Sequence, residues 1–288
     1  MEEIDWTECS YEEARSVLKK WRDEHERRSE ETVEIWEHIL SSYDQSLGDE
    51  LWAILEQVTI AALDSNRQDL ALECLQTLNK QFPNSTRVTK LQALRLESLG
   101  KYEEAQYLYD NLLQLDDTNM SIRKRKIAIE ISQGNRLEAI KMLDEYLHSF
   151  VNDSEAWAEL GELYLQENDI LRAIYCFEEV LLAAPNNSSL YCRLGELRYT
   201  LGGQENIEVA KNYFEKSIKL NLNARSLYGL ILACNSLLGK STGQKKREIV
   251  VAAQNAIESL GELYKEKGEN PNSSVCNKVV QSLKSSFV

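Results

Sequence analysis

The sequence has few residues that break helices and few histidines. It contains 3 prolines, 12 glycines and 3 histidines among 288 residues. A β-rich or low-complexity chain of this length needs more proline and glycine for its turns and linkers. The composition therefore favours an all-helical folded protein before any pattern is considered.

Positive charge is also scarce. The chain has 33 Lys and Arg against 47 Asp and Glu, which gives a net charge of −14, and residues 1–50 alone carry 16 acidic and 6 basic side chains. Nucleic acids and anionic lipid surfaces both attract cationic proteins. We therefore expect no nucleic-acid partner and no direct adhesion to a lipid surface.

Long apolar runs are missing as well. The best run, 227–234, is far shorter than the roughly 18 residues of a membrane span, and residues 1–6 lack the basic and apolar parts of a signal peptide. We expect a cytosolic chain with reduced cysteines, and the absence of a CxxC pair argues against a zinc site. The six cysteines are Cys9, Cys74, Cys176, Cys192, Cys234 and Cys276.

The chain shows no pattern of catalytic residues. His25 lies in a charged segment typical of a solvated surface, and no histidine belongs to a known nucleophile motif. Gly202 and Gly203 are followed by Gln-Glu-Asn rather than by the lysine of a phosphate-binding loop. We predict no catalytic residue, no cofactor, no metal and no small-molecule substrate, and we keep an unrecognised enzymatic activity only as the third hypothesis.

An internal repeat is the strongest feature of the sequence. Ala71, Ala105, Ala139 and Ala173 are each 34 residues apart. This period is that of the tetratricopeptide repeat, a pair of antiparallel helices. The same step relates four further series: Asn66, Gly100, Gly134 and Asn168; Leu75, Tyr109, Leu143 and Phe177; Leu78, Leu112, Tyr146 and Val180; and Pro83, Asp117, Val151 and Pro185.

The unit 154–187 matches the repeat pattern most fully. Gly161 and Ala173 are small where the two helices of a pair approach closely, and Pro185 ends the second helix. The aromatic residues at helical spacing are predicted to be mostly core: Trp21, Trp36, Trp52, Tyr107, Tyr109 and Trp157.

The pattern becomes irregular after residue 200 and before residue 50. The alanine expected at position 207 is Ala210, so three extra residues are predicted in the turn 202–206. Outside the regular repeats we predict helices over 11–28, 31–42, 49–63, 225–238, 245–267 and 274–286. The predicted organisation is an N-terminal helical cap over 1–50, repeats at 52–85, 86–119, 120–153, 154–187 and 188–224 with a partial repeat at 225–238, and a C-terminal helical cap over 239–288.

Such an array is predicted to form a single right-handed superhelical solenoid, with a partner chain in its concave groove. The predicted lining is basic in the early repeats and acidic in the later ones, which suits a long polypeptide better than a small ligand. The predicted groove residues are Arg87, Lys90, Leu94, Glu97, Ser121, Lys124, Ala128, Ile131, Glu155, Ala158, Glu162, Leu165, Cys192, Glu196 and Tyr199.

The one basic run, 123–126, has two interpretations. It either gives solubility and contacts neighbouring acidic groups, or it forms a positive spot in the groove that receives an acidic partner. A chaperone clamp, which grips a terminal carboxylate, is disfavoured: Lys90 suits that family's pattern, but Leu94 stands where it has Asn, and Glu155 and Glu159 stand where it has cations.

Five blocks in order resemble the family of the second subunit of the ER membrane protein complex. They are LQTLNKQFPNSTRV at 75–88, RKRKIAI at 123–129, NDSEAW at 152–157, ELY at 162–164 and YTLGGQEN at 199–206. The resemblance covers about 50–235 and extends into the N-terminal helices. The Gly-Gly turn of the last block is a feature of this family that the generic repeat does not require.

The resemblance implies a non-catalytic scaffold that is peripheral to the cytoplasmic face of the ER membrane. Such a subunit holds cytosolic segments of the third and fifth subunits and a cytosolic subunit, the eighth or ninth, in a complex that inserts tail-anchored and multipass proteins. The alternative is a free cytosolic tetratricopeptide adaptor of a chaperone or another complex. The groove alone predicts only that another chain binds there.

Overall fold

The computed structural model describes residues 9–239, 241–266 and 273–286, and all regular elements within these ranges are helices. The chain divides into two compact units, Met1–Asn135 and Arg136–Val288. The division falls between the two helices of the predicted repeat 120–153. Helix pairs fill both units, so the predicted all-α repeat class is confirmed.

Seven α-helices belong to the described part of unit 1. After α2, a short 3-10 helix at Leu40–Ser46 leads into the first regular pair. The helices are α1 (Tyr11–Asp23), α2 (Ser29–His38), α3 (Glu50–Asp64), α4 (Gln68–Gln81), α5 (Thr86–Ser98), α6 (Tyr102–Leu115) and α7 (Met120–Ser132).

Unit 2 contributes eight α-helices within the described ranges. They are α8 (Arg136–Ser149), α9 (Ser154–Gln166), α10 (Ile170–Ala183), α11 (Ser188–Leu201), α12 (Gln204–Leu220), α13 (Ala224–Leu238), α14 (Gly243–Glu266) and α15 (Ser273–Ser286). Helices α3, α5, α7, α9, α11 and α13 are the first helices of the repeats, and α4, α6, α8, α10 and α12 are the second helices.

The 34-residue period is visible in the helix starts. The first helices α5, α7, α9 and α11 begin at positions 86, 120, 154 and 188, and the second helices α4 to α12 begin at 68, 102, 136, 170 and 204. Ala71, Ala105, Ala139 and Ala173 are the fourth residues of four successive second helices, and all are fully buried. Within each unit, the methyl-sized side chains of Ala71, Ala105 and Ala173 let the two helices of a pair approach closely.

The turn within each pair also repeats. Asn66, Gly100, Gly134 and Asn168 have φ angles of 57°, 73°, 81° and 60°, a left-handed conformation that glycine and asparagine adopt at low cost. In each turn the next N–H donates to a carbonyl five residues earlier, as from Lys101 to Leu96 at 2.9 Å. This Schellman motif ends the first helix and starts the reversal.

The first helices are capped by short polar side chains in the preceding turns. The side chains of Asn119, Asp153, Asn187 and Asn223 accept hydrogen bonds from N–H groups in the first turns of α7, α9, α11 and α13. These bonds satisfy donors that a helix start otherwise leaves unpaired. Polar residues at repeat boundaries thereby set where each pair begins.

The irregular repeat differs from the prediction. The three extra residues do not lie in the turn 202–206: the turn consists of Gly202 and Gly203 alone, and α12 begins in phase at Gln204 and is 17 residues long. Both glycines have positive φ angles, 73° and 82°, so two residues suffice to reverse the chain. The extra residues add nearly one turn to the start of α12, which places Ala210 farther along the helix.

The N-terminal prediction was wrong at two helix ends. Helix α1 stops at Asp23 rather than at residue 28, because His25 adopts a positive φ of 56° and the N–H of Glu26 donates to Trp21 O at 2.8 Å. Helix α2 ends at His38, where the 3-10 helix replaces the predicted continuation to residue 42. His25 is exposed, as predicted.

Most of the predicted core aromatics are buried or half-buried, with one exception. Tyr109 is fully buried, but Tyr107 is 67% exposed. Two residues span about 200° around a helix, so Ala105 and Tyr109 face the core and Tyr107 faces away from it. Gly161 lies where α9 and α10 approach closely, as predicted: a Cβ built there would lie 3.1 Å from the ring of Phe177.

The cysteines described by the structure are free thiols: Cys9, Cys74, Cys176, Cys192 and Cys234. Burial raises the pKa of Cys74 and of Cys176 to about 12 and that of Cys234 to about 11. The nucleophilic form of cysteine is the thiolate, so burial keeps these three side chains in the protonated, less nucleophilic thiol form at neutral pH. The side chain of Cys276 lies outside the described residues, as do Lys267 and residues 1–8.

Candidate partner-binding surface

The predicted groove residues lie on the first helices of both units. In unit 1 they lie on α5 and α7, and we call them the first-helix surface of unit 1: Arg87, Lys90, Leu94, Glu97, Ser121, Lys124, Ala128 and Ile131. In unit 2 they lie on α9 and α11 and form the first-helix surface of unit 2: Glu155, Ala158, Glu162, Leu165, Cys192, Glu196 and Tyr199.

Ion pairs and hydrogen bonds join neighbouring first helices in unit 1. Arg87 on α5 pairs with Glu56 on α3, and the Nζ of Lys90 donates to Ser121 Oγ on α7 at 2.8 Å. Each of these two contacts spans 31 residues of sequence. The charged groups on this surface therefore also hold successive repeats together.

Glu97 is a largely enclosed charged group of the surface, with 11% of its side chain exposed. It accepts a hydrogen bond from the buried Tyr109 hydroxyl at 3.1 Å and pairs with the Arg125 guanidinium. Burial, followed by the charge of Glu97, raises the pKa of Tyr109, so the phenol stays protonated and donates. Glu97 thus joins α5, α6 and α7 and is a structural residue more than a docking contact.

The same type of contact recurs in unit 2. Arg193 Nη2 on α11 donates to Glu162 on α9 at 3.1 Å and 3.2 Å, and Arg225 Nη2 on α13 donates to Glu196 on α11 at 2.7 Å. The hydrogen bond and charge of Glu196 raise the pKa of Arg225. The acidic half of the predicted lining is therefore partly neutralised by arginines of the next first helix.

Cys192 does not belong to the accessible surface. It is 4% exposed and packs with Phe214 and Leu227 in the core of unit 2. Lys90, Lys124, Ala158 and Cys192 occupy the same position in successive first helices. The side chain at this position is a long cation in unit 1 and a small side chain in unit 2, where helix α13 covers Cys192. The sequence prediction for Cys192 was wrong because the period locates a position without showing how closely the next helix packs.

The remaining apolar residues of the surfaces are half-buried: Leu94, Ala128, Ile131, Ala158, Leu165 and Tyr199. Leu94 and Leu165 rest against the cores of their units, and the Tyr199 hydroxyl lies 3.0 Å from Ser236 Oγ. Lys124 is half-buried, whereas Glu155 and Glu162 are exposed. On such a surface, the half-buried apolar residues would provide apolar contact area for a polypeptide, and the charged residues beside them would fix its orientation.

Three residues of the basic run contact acidic groups of unit 1. Arg123 pairs with Asp117, Arg125 with Glu97, and the Nζ of Lys126 with Asp110 at 2.6 Å. The interpretation that the run contacts neighbouring acidic groups is confirmed for these three side chains. They are held in place by unit 1 itself.

Sequence reasoning missed the partners of these charged residues. Glu56, Arg193 and Arg225 belong to no predicted groove position, yet each pairs with a surface residue. A separation of 29 or 31 residues between an acidic and a basic residue was the available signal. It differs from the 34-residue period because a residue near the start of one first helix contacts a residue farther along the preceding one.

Two absences hold for the described ranges. These ranges contain no group of three or more His, Cys, Asp or Glu side chains that could hold a metal ion. No helix in them is both long and apolar enough to cross a membrane.

Comparison with known proteins identifies the family. The family described as the EMC2 TPR-like repeat domain matches residues 73–219. ER membrane protein complex subunit 2 of Xenopus tropicalis is 42% identical over 267 residues, which covers 92% of this chain and 90% of that protein. The chain belongs to the family of ER membrane protein complex subunit 2. The family resemblance predicted from the five blocks is therefore confirmed.

A more distant relative and a solved structure extend the comparison. ER membrane protein complex subunit 2 of Dictyostelium discoideum is 30% identical, over 87% of this chain and 83% of that protein. Among solved structures, the C-terminal part of a TPR repeat-containing protein from Cytophaga hutchinsonii has a TM-score of 0.58 at 17% identity, over 93% of this chain and 99% of that one. That likeness supports only the repeat fold of this chain, which belongs to the subunit 2 family.

Proposed function

We propose that this chain is a non-catalytic scaffold subunit of the ER membrane protein complex and lies peripherally on the cytoplasmic face of the ER membrane. In this role its first-helix surfaces hold cytosolic segments of the third and fifth subunits, and it also binds the eighth or ninth. By holding them it supports the insertion of tail-anchored and multipass proteins. The observation that carries the proposal is family membership, at 42% identity over nearly the whole chain.

The surfaces described above support the scaffold role. Each combines half-buried apolar residues with charged residues whose positions are fixed by neighbouring helices, such as Glu162 by Arg193. A surface held in place by the fold loses little conformational entropy when a flexible segment binds to it. Repeat stacks present such surfaces without needing a deep pocket.

Cell fractionation tests the assignment. We expect an epitope-tagged chain to sediment with microsomes and, after solubilisation in a mild detergent, to co-purify with membrane subunits identified by mass spectrometry. A cytosolic protein of similar size, tagged in the same way, is the control for soluble protein that is trapped nonspecifically in the microsomal pellet. Recovery of the chain only in the soluble fraction, bound to soluble proteins, would contradict the proposal and favour the free cytosolic adaptor.

A further inference from the structure

A cavity of about 430 Å³ lies at the N-terminal end of unit 1, between the α1–α2 turn and α3. Its apolar lining includes Trp21, Ala53 and Ile60, and four arginines also line it: Arg22, Arg27, Arg28 and Arg87. Its volume lies in the range of sites that bind small molecules or a few residues of a peptide. Because Arg87 is a predicted groove residue, the cavity adjoins the first-helix surface of unit 1.

The charge of this cavity is opposite to that of the surrounding chain. The protein has a net charge of −14, and residues 1–50 hold 16 acidic but only 6 basic side chains. Three of these six basic residues, Arg22, Arg27 and Arg28, line this one cavity. Glu26 and Glu56 are its only acidic lining residues in the part of unit 1 that the structure describes.

The four arginines differ in how their charge is balanced. Arg27 forms a bidentate pair with Asp64 at 2.7 Å and 2.6 Å, Arg28 pairs with Glu26, and Arg87 pairs with Glu56. Arg22 instead donates from Nη1 to the neutral amide oxygen of Gln57 at 3.1 Å. Gln57 in turn donates to Leu18 O at 3.3 Å, which fixes the amide.

Arg22 is therefore a half-buried guanidinium that has no carboxylate within ion-pair distance among residues 9–239. A guanidinium presents five N–H donors in a planar fork that matches a carboxylate. Beside it, the half-buried side chains of Ala53 and Ile60 on α3 provide a surface for an aliphatic or aromatic group, and the Trp21 ring, 5% exposed, supports this surface from the core. The Arg28 guanidinium lies 5.3 Å from the centre of the Trp21 ring and adds positive charge at the same place.

From this arrangement we infer that the cavity binds an acidic segment of a partner polypeptide, with a carboxylate on Arg22 and a neighbouring apolar side chain against Ala53 and Ile60. The inference rests on the proposed scaffold function and adds to it the chemistry of one bound segment. Since the attraction is electrostatic, the affinity should fall as salt concentration rises. The ion pairs of Arg27 and Arg28 keep the turn that forms the cavity wall in place.

The test uses the full 288-residue chain and an array of amidated octapeptides of Asp and Glu, in which one Leu, Phe or Trp is moved through the positions. A second array has Asn and Gln in place of the acids. Fluorescence anisotropy should show that the best acidic peptide binds at least 10-fold more tightly than its amide counterpart. Arg22→Gln should weaken it at least 10-fold, while Lys20→Gln, an equal charge change on the same helix outside the cavity, should weaken it less than 3-fold.

Three outcomes would overturn the inference. They are equal binding of acidic and amide peptides, equal loss of binding with Lys20→Gln and Arg22→Gln, or complete displacement of the peptide by millimolar inorganic phosphate, which would indicate a simple anion site. Thermal unfolding of the Arg22→Gln chain within about 2 °C of the wild type excludes misfolding as the cause. If the chain co-purifies with the membrane complex but binds no acidic peptide, the inference fails while the proposed function stands.

Discussion

The ring of Phe214 occupies the space where a side chain on Gly229 would begin. A Cβ built on Gly229 would lie 2.3 Å from Phe214 Cε1, and one built on Gly195 would lie 2.8 Å from the same ring atom. Gly195 and Gly229 are 34 residues apart, on the successive first helices α11 and α13. One buried aromatic ring of α12 is thus held between two backbones that the repeat brings close together.

Gly229→Ala should therefore destabilise unit 2. In an exposed helix this substitution stabilises by about 0.5–1 kcal/mol, but here the methyl group overlaps the ring, and overpacking costs about 1–3 kcal/mol. Gly261→Ala in α14 is the matched control, because the nearest described atom to its Cβ would be Val280 Cγ1, at an ordinary contact distance of 3.7 Å. Urea unfolding followed by circular dichroism should show a lower midpoint for Gly229→Ala alone, and equal midpoints for both variants would contradict this packing.

Phe177→Ala should cost about 3–5 kcal/mol through the cavity that it leaves. Phe177 is 4% exposed and lies against Gly161 in the neighbouring helix. Leu171→Ala removes a side chain that is 62% exposed on the same helix, so its effect should stay within about 0.5 kcal/mol. An unchanged melting temperature for Phe177→Ala would show that its ring is not part of the core.

Gly100→Ala should destabilise unit 1 by about 1–2 kcal/mol, the cost of placing a Cβ in the left-handed region. The cause is conformational and not steric, because Gly100 has a φ of 73° and, its chain neighbours aside, no atom of the described residues lies within 4 Å of a Cβ built there. Gly100→Asn should cost less, since asparagine serves the same turn at Asn66 and Asn168. Chemical unfolding should show that the wild type with Gly100 is the most stable protein, followed by Gly100→Asn and then Gly100→Ala. If the role of Gly100 were steric, the larger asparagine would destabilise the chain more than alanine does.

The stabilising effect of the Arg15–Glu50 pair should disappear in acid. The hydrogen bond from Arg15 holds the pKa of Glu50 below its ordinary value of 4.5, so the folded chain binds this proton less readily than the unfolded chain does. The contribution is therefore complete above pH 4.5 and is lost as pH falls through the lower folded pKa. Wild type and Glu50→Gln should differ in unfolding free energy at pH 7 and converge toward pH 3, whereas a constant difference would mean that the carboxylate charge is not involved.

Reversing Lys90 and Lys124 to Glu should weaken binding of a partner without unfolding the chain. Both residues lie on the first-helix surface of unit 1, where the change adds negative charge to a surface proposed to hold another polypeptide. Lys80→Glu with Lys216→Glu makes the same charge change at exposed positions of the second helices α4 and α12. A pull-down that recovers all partners with the first pair of substitutions would defeat the placement of the docking surface.

Much of the fold could be predicted because each repeat obeys local rules. A small residue at Ala105, a left-handed turn at Gly100 and a cap at Asn119 each act within one helix pair, so one period locates them all. The same reasoning failed where the chain departs from the period. The two-glycine turn before α12 and the Schellman turn at His25 depend on local geometry that the spacing of apolar residues does not reveal.

The candidate surface was less predictable than the fold. The period correctly assigned Lys90 and Glu162 to first helices, but it could not show that Cys192 is covered by α13. Nor could it find the pairing of Arg87 with Glu56 or the cavity around Arg22, because these depend on distances between helices that follow different patterns. Residues that act across repeats need the structure.

Site-specific photo-crosslinking in the intact complex tests the central claim most directly. A photoreactive amino acid would replace Lys90 or Glu162 on the first-helix surfaces, or Tyr107 or Leu182, which are 67% and 77% exposed on second helices of the same two units. We expect cross-links from Lys90 and Glu162 to cytosolic segments of other subunits of the ER membrane protein complex. Cross-links to those segments only from Tyr107 and Leu182 would contradict it.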